Sequence, residues 1–341
     1  MMRKIIFSTI SLLILSLFFS SDLESQQRKA GLTGMSFLKV GVGARPVAMG
    51  SAASSFSNDV NQMFWNPAGI ALKDERYQGT FSYNDWIAGI SQNAAAFSYN
   101  AGNLGTIGVG FVAFGVSDIP ANRQRDFGIP EIDDLVTDRA TSATYDYQDV
   151  LVQLSYARYF AERLSLGINL KYINQSIDDQ SVGVFAVDLG SVYEIGIADW
   201  KIAARLSNLG SDYTYYNISN MIPLTFSIGT SARPVNTEIG ALTIAFDAVK
   251  PQDGLQHYHI GGEWTFMNTL SFRGGYKLNY SGTQTDQGAD RPSVDNTIEG
   301  FSLGAGLNVN VSNMNVKVDY TMTMMDILDN VHRISVHFGV R

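Results

Sequence analysis

The chain has 341 residues, of which 16% are charged and 45% hydrophobic, with 32 glycines, 8 prolines and a formal net charge of −8. A soluble globular domain carries nearer a quarter charged residues, and a disordered chain holds fewer apolar ones. The lack of cysteine excludes a disulfide scaffold, a thiolate metal site, a cysteine nucleophile and a lipid-anchoring cysteine, and the negative balance argues against nucleic acid as a partner.

Residues 1–25 read as a cleaved export signal. Arg3 and Lys4 lead into an apolar run over 5–19, too short for a comfortable membrane span, and the small residues Ser20, Ser21 and Ser25 come after it. No second uninterrupted apolar stretch of spanning length occurs, so the mature chain is predicted to lack membrane helices.

Residues 26–76 differ in pattern from the rest of the chain. The stretch 31–73 is rich in Gly, Ala and Ser, lacks sustained alternation, and contains Gly41-Val42-Gly43-Ala44-Arg45 and Met49-Gly50-Ser51-Ala52. Residues 57–61 offer polar caps, Met63-Phe64-Trp65 forms a short apolar turn, and Pro67 is expected to end or re-aim it through its fixed φ and missing donor. A compact plug in the lumen of a barrel is the reading, received by strand glycines such as Gly108, Gly110, Gly167, Gly229, Gly261, Gly304 and Gly306.

Residues 77–341 alternate with period two. Val316, Val318, Tyr320 and Met322 interleave with Asn315, Lys317, Asp319 and Thr321, and Ile334, Val336, Phe338 and Val340 interleave with Arg333, Ser335, His337 and Gly339. Fourteen such segments are predicted, at 77–88, 90–100, 104–116, 144–160, 163–176, 182–195, 199–209, 223–233, 241–250, 255–267, 269–281, 298–311, 313–325 and 330–340. Many are near ten residues, the length a tilted strand needs to cross a bilayer. Connections also sort by length, long at 117–143, 177–181, 210–222 and 282–297 and short between, with a first connection shorter and an eighth, 234–240, longer than the alternation requires. Long outward loops and short periplasmic turns mark an outer-membrane barrel. The expected fold class is all-β: a closed antiparallel transmembrane β-barrel of about fourteen strands in outer-membrane lipid, with an N-terminal lumenal plug. Every backbone donor and acceptor in hydrocarbon needs a partner, and only a helix or an edgeless sheet provides one, so these strands are expected to close. Tyr83, Trp86, Tyr99, Tyr156, Tyr172, Tyr193, Trp264, Phe266, Tyr276, Tyr280, Tyr320 and Phe338 are candidates for its aromatic girdles.

Chemical motifs are sparse. The glycine pairs Gly41/Gly43, Gly108/Gly110 and Gly304/Gly306 complete no nucleotide-binding pattern, and no nucleophile elbow occurs. His257 and His259 share a strand face without a third ligand at metal spacing, and the acidic groups Glu131, Asp133, Asp134, Asp178 and Asp179 read as solvated loop residues. No catalytic, cofactor or metal residue is assigned, and the chain reads as non-enzymatic. The loop 117–143 places Arg123 and Arg125 beside Phe127, Ile129, Ile132 and Leu135, a mixture suited either to grasping a protein partner or to folding as a lid over the barrel mouth. The loop 210–222, with Tyr213, Tyr215 and Tyr216, has the same character.

The strings Phe37-Leu38-Lys39-Val40-Gly41-Val42-Gly43-Ala44-Arg45, Ala48-Met49-Gly50 and Phe64-Trp65-Asn66-Pro67-Ala68-Gly69-Ile70 resemble the N-terminal signature of the PorV/PorQ family, a branch of the FadL-like outer-membrane barrels. The resemblance covers about forty residues. It implies a role in type IX protein secretion, with outer loops that bind the C-terminal signal domains of exported cargo, the secretion translocon or a surface partner. FadL-like relatives instead pass hydrophobic molecules inward, and a hydrophobic ligand is the alternative expectation.

Overall fold

The computed structural model describes residues 33–73, 75–121, 144–215, 218–254, 256–279, 299–325 and 328–341. The export signal, most of the loop 117–143 and the whole of the loop 282–297 lie outside the described residues.

Fourteen antiparallel strands close into one barrel. In chain order they are β1 (Tyr77–Asp85), β2 (Ser91–Asn100), β3 (Thr106–Pro120), β4 (Thr144–Ala161), β5 (Leu164–Ile177), β6 (Gln180–Glu194) and β7 (Lys201–Gly210). After a small hairpin of β8 (Tyr213–Tyr215) and β9 (Ile218–Asn220) come β10 (Thr225–Asn236), β11 (Gly240–Pro251), β12 (His257–Phe266), β13 (Leu270–Asn279), β14 (Glu299–Val311), β15 (Met314–Met325) and β16 (Val331–Val340). Each barrel strand pairs with its sequence neighbours, and β1 pairs with β16 to complete the ring. Every predicted segment coincides with a strand to within a few residues.

The alternation becomes an outside and an inside. Leu307, Val318, Val336 and Phe81 sit side by side on four adjacent strands and are all exposed outward, while the neighbouring row Lys317, His337 and Thr80 faces the lumen. On β16 the inward Arg333, Ser335 and His337 are buried. Exposed apolar side chains such as Leu154, Leu170, Ile244 and Leu303 cover the outer face, which is the arrangement a lipid-spanning barrel requires. Among the described residues no helix is long and apolar enough to cross a membrane.

Three details differ from the sequence reading. The long eighth connection is a three-residue turn, 237–239, because β10 continues through Pro234 at a bulge between Ala232 and Val235, the kind of strand position where a missing donor is tolerated. The connection at 177–181 shrinks to Asp178-Asp179, with Asp178 at φ 55°, because β5 and β6 pair to their tips. Trp86 is no girdle residue: it caps the outer end of β1 and packs inward against the lumenal apolar cluster.

Within the ring lies the segment 33–73. It consists of the helix α1 (Ala44–Ala48) and short 3-10 turns at Ser36–Lys39, Val60–Phe64 and Pro67–Ile70. Asp59 caps the second of these turns by accepting from the Asn61 N–H at 2.9 Å, and Asn66 caps the third by accepting from the Ala68 N–H at 3.1 Å. Pro67 starts this third turn rather than ending the previous one, because a first-turn position has no use for the N–H that proline lacks. Apolar faces pack on the wall at several points: Met63 and Ile70 with Ala96 and Ala157, Phe56 and Met49 with Ala245, and Ala68 with Val192 and Ala203.

Candidate functional site

The site is the lumen, and the N-terminal segment divides it. Arg45, on α1, reaches β12 and forms a forked pair with Glu263, its Nε and Nη2 donating at 2.9 and 2.8 Å. Glu263 also accepts from Arg273 at 2.5 Å, Arg273 donates to Asp319 at 2.6 Å, and Asp59 lies 3.5 Å from Arg45. This chain of alternating charges ties the segment to β12, β13 and β15. Burial by itself would raise the Asp59 carboxyl, but charge on His337, Arg45 and Lys317 and the Asn61 N–H outweigh it and hold the group below its ordinary value.

The remaining signature residues build and seat the same segment. Ala44 donates its N–H to Ser335 and accepts from Thr321, at 2.8 and 2.6 Å. The Trp65 indole donates to the Val42 carbonyl at 2.8 Å, while Arg205 of β7 donates to the Trp65 carbonyl at 2.6 Å. Asn66 donates to the carbonyls of Ser54 at 2.7 Å and Ser191 at 3.2 Å, one within the segment and one on β6. Asp247 of β11 receives the N–H groups of Ala53 and Ser54. Buried backbone needs such partners, and here the inner wall supplies them.

Close approach to the wall depends on small residues. Gly50, at φ 63°, packs against the backbone of Ile260 and Tyr276, and Met49 and Gly50 lie on Gly261 and Gly275. Gly108 and Gly110 receive Met63, Gly167 receives Pro67 and Ala68, and Gly304 receives Ala48, while the space at Gly229 is taken first by Asp247 of the wall and then by Ser54. Gly306 differs: its space is taken by Asp319 and Arg273 of the wall. Two adjacent glycines make a controlled test. A methyl on Gly261 would fall on the Met49 carbonyl, whereas one on Gly262 meets nothing within 4 Å. Gly261→Ala is therefore expected to lower the thermal transition of the solubilised barrel clearly, on the scale of about 1–3 kcal/mol for overpacking, and Gly262→Ala to leave it nearly unchanged. Melting both variants in detergent checks this.

Two chambers flank the segment. The outer one, about 210 Å³, is lined by Leu38, Val40, Trp65, Lys171, Arg205 and His259 among others. The inner one, about 290 Å³, is bounded by Arg45, Asp59, Lys201, Arg233, Lys317 and Asp319 and is strongly polar. Beside the outer chamber the inner wall of β2 to β6 is apolar: Ala94, Val112, Phe114, Leu151, Ile173, Val184 and Ala186 all face inward and are buried. Met35, Phe37 and Val42 of the N-terminal segment fill the space against them, with Tyr213 and Ile222 from the connection after β7. Alternation hid this patch, although runs such as Val150-Leu151-Val152 and Phe111-Val112-Ala113-Phe114, apolar on both faces, carry the signal.

The predicted loop residues fare differently. Tyr213 is not displayed outward: only 7% of it is exposed, and its ring packs into the apolar cluster against Gly34. The physical reason is that the connection folds into the mouth, where Gly34 N–H donates to the Met221 carbonyl at 3.0 Å and Thr33 bridges Met221. Tyr215 is half-buried against the same cluster. Arg123, Arg125, Phe127, Ile129, Ile132, Leu135 and Tyr216 lie outside the described residues. His259 Nδ1 sits 3.2 Å from the Ser51 carbonyl, and no group of three or more His, Cys, Asp or Glu arranged to hold a metal ion occurs among the described residues.

Solved structures share this architecture. The Pseudomonas putida toluene transporter TodX superposes with a TM-score of 0.58 at 10% identity, covering 88% of this chain and 97% of its own. The CymD monoaromatic hydrocarbon channel gives 0.56 at 12% identity, covering 91% and 98%. A Pseudomonas aeruginosa FadL homologue superposes less well, at 0.49 with 12% identity over 86% and 96%. No protein-family model matches the chain, and no curated protein matches it. The fold is that of the fourteen-stranded TodX-type outer-membrane barrels, in which an N-terminal segment precedes the strands.

Proposed function

We propose that this chain is a non-enzymatic outer-membrane channel that admits small hydrophobic molecules. The observation that carries the reading is the apolar inner wall of β2 to β6. The lumen side of a barrel is ordinarily polar, and a contiguous inward patch with a chamber beside it is the usual form of a hydrophobic binding site. Its present occupants are the chain's own Met35 and Phe37, so entry of a ligand requires that the segment yield. The likeness to the TodX and CymD barrels supports the same reading through the fold.

Secretion through protein partners is less well supported. The residues that resemble the PorV/PorQ signature are accounted for by folding and seating the plug: Arg45 grips Glu263, and Asn66 ties the segment to β6. The burial of Tyr213 also removes one proposed contact.

Phe37→Ala would open the apolar site, since its ring lies 6.1 Å from that of Phe114. In cells expressing the full chain, the variant is expected to raise uptake of labelled toluene or a medium-chain alkane above that of the parent. Uptake by the parent no faster than in cells lacking the chain, across both compounds, overturns the proposal. Recovery of translocon subunits or exported cargo with the solubilised parent favours the secretion reading.

A further inference from the structure

Arg333, near the outer end of β16, is 2% exposed, and among the described residues none of its three guanidinium nitrogens has a hydrogen-bond partner. An arginine held this way is costly: up to five N–H donors and a full charge are withdrawn from water with no hydrogen bond in return. The register places Arg333 beside Asn84 of β1, then Gln92 of β2 and Phe114 of β3, in a single inward row. Asn84 donates to the Gln92 carbonyl oxygen at 3.3 Å, which leaves the Gln92 amide nitrogen without an acceptor and Asn84 Oδ1 without a donor. Unmet donors of Arg333 and Gln92 therefore lie on one inward row, and the unmet acceptor on the strand between them is a single oxygen, Asn84 Oδ1. Glu299, the carboxylate that acts on Arg333 through its charge, is engaged with Lys277.

We propose that Arg333 and Gln92 form a binding site for a small planar monovalent anion, of the nitrate or short-carboxylate class. Charge selects an anion over water, because water adds donors to a place already rich in them and neutralises nothing. Planarity follows from the guanidinium itself. Its carbon lies over the Trp86 ring, 5.6 Å from the centroid, and its forked edges suit two oxygens of one planar group. Size follows from enclosure: Arg333 is 2% exposed and lines neither of the two lumenal chambers.

Thermal unfolding of the detergent-solubilised full chain tests this, in sodium gluconate with nitrate, chloride, acetate or decanoate exchanged in at constant ionic strength. Ligand that binds the folded state raises the transition by mass action. A saturable rise is expected with nitrate and acetate, smaller with chloride, and absent in Arg333→Gln. Should Arg333→Gln fail to assemble, Arg333→Lys keeps the charge without the fork and is expected to lose the preference for nitrate over chloride. No rise beyond gluconate, an equal rise in Arg333→Gln, or an undiminished nitrate preference in Arg333→Lys would each overturn the proposal. A response to decanoate but not acetate would overturn it too, by marking a headgroup site instead. The outcome is independent of whether the barrel conducts hydrophobic solutes.

Discussion

Val318→Arg is expected to abolish assembly of the barrel in the membrane, while Lys317→Ala, one residue away, should be tolerated. Val318 is 38% exposed on the outer face of β15, between Leu307 and Val336 in an unbroken apolar row. A guanidinium there enters hydrocarbon and is opposed by about 2–4 kcal/mol at the bilayer midplane. Lys317 points the other way, pairs in register with His337 and Asn308, and borders the polar inner chamber, so its loss removes a charge already in contact with polar groups. Heat-modifiable gel mobility and refolding into lipid vesicles report the two outcomes. Equal behaviour of the two variants would place the wall's inside and outside wrongly.

Glu263→Ala should loosen the plug without breaking the ring. Glu263 receives both Arg45 and Arg273, and its removal leaves Arg45 facing the distant Asp59 alone and Arg273 with only Asp319. Breaking a buried pair from one side typically costs about 3–5 kcal/mol, because the abandoned charge has lost its solvent as well as its partner. The strand ladders do not depend on this carboxylate, so the cost falls on seating of the segment. Limited proteolysis of the solubilised protein is expected to cut within 33–73 far faster than in the parent, and reconstituted bilayers should show larger unitary conductance. Glu263→Gln, which still accepts hydrogen bonds but carries no charge, should fall between. Unchanged proteolysis and conductance in Glu263→Ala would mean that wall glycines and backbone contacts hold the plug unaided.

Much of the architecture was legible without coordinates because a strand's periodicity is local. Successive side chains point to opposite faces, so Val316, Val318 and Tyr320 declare a common face from their spacing alone. The capping residues Asp59 and Asn66 also act over two positions, within reach of a sequence reading. The lumen was not readable in the same way. Arg45 and Glu263 are 218 positions apart, and which carboxylate meets which guanidinium is decided only when the sheet closes and fixes the register of β12 against its neighbours. Tyr213 and Tyr215 illustrate the converse error: tyrosines in a loop look like a display surface until the mouth offers these two an apolar wall to fold against.

The amino-acid order alone determined that this chain forms fourteen amphipathic strands, which face is apolar, and that a small-residue segment stands before them, since these depend on backbone pleat and composition. Tertiary structure decided where that segment rests, which glycines admit it, and that β2 to β6 carry an apolar inward row beside the outer chamber, against which Met35 and Phe37 pack. The reason is that closure of the ring brings together residues whose separation along the chain bears no relation to their separation across the lumen.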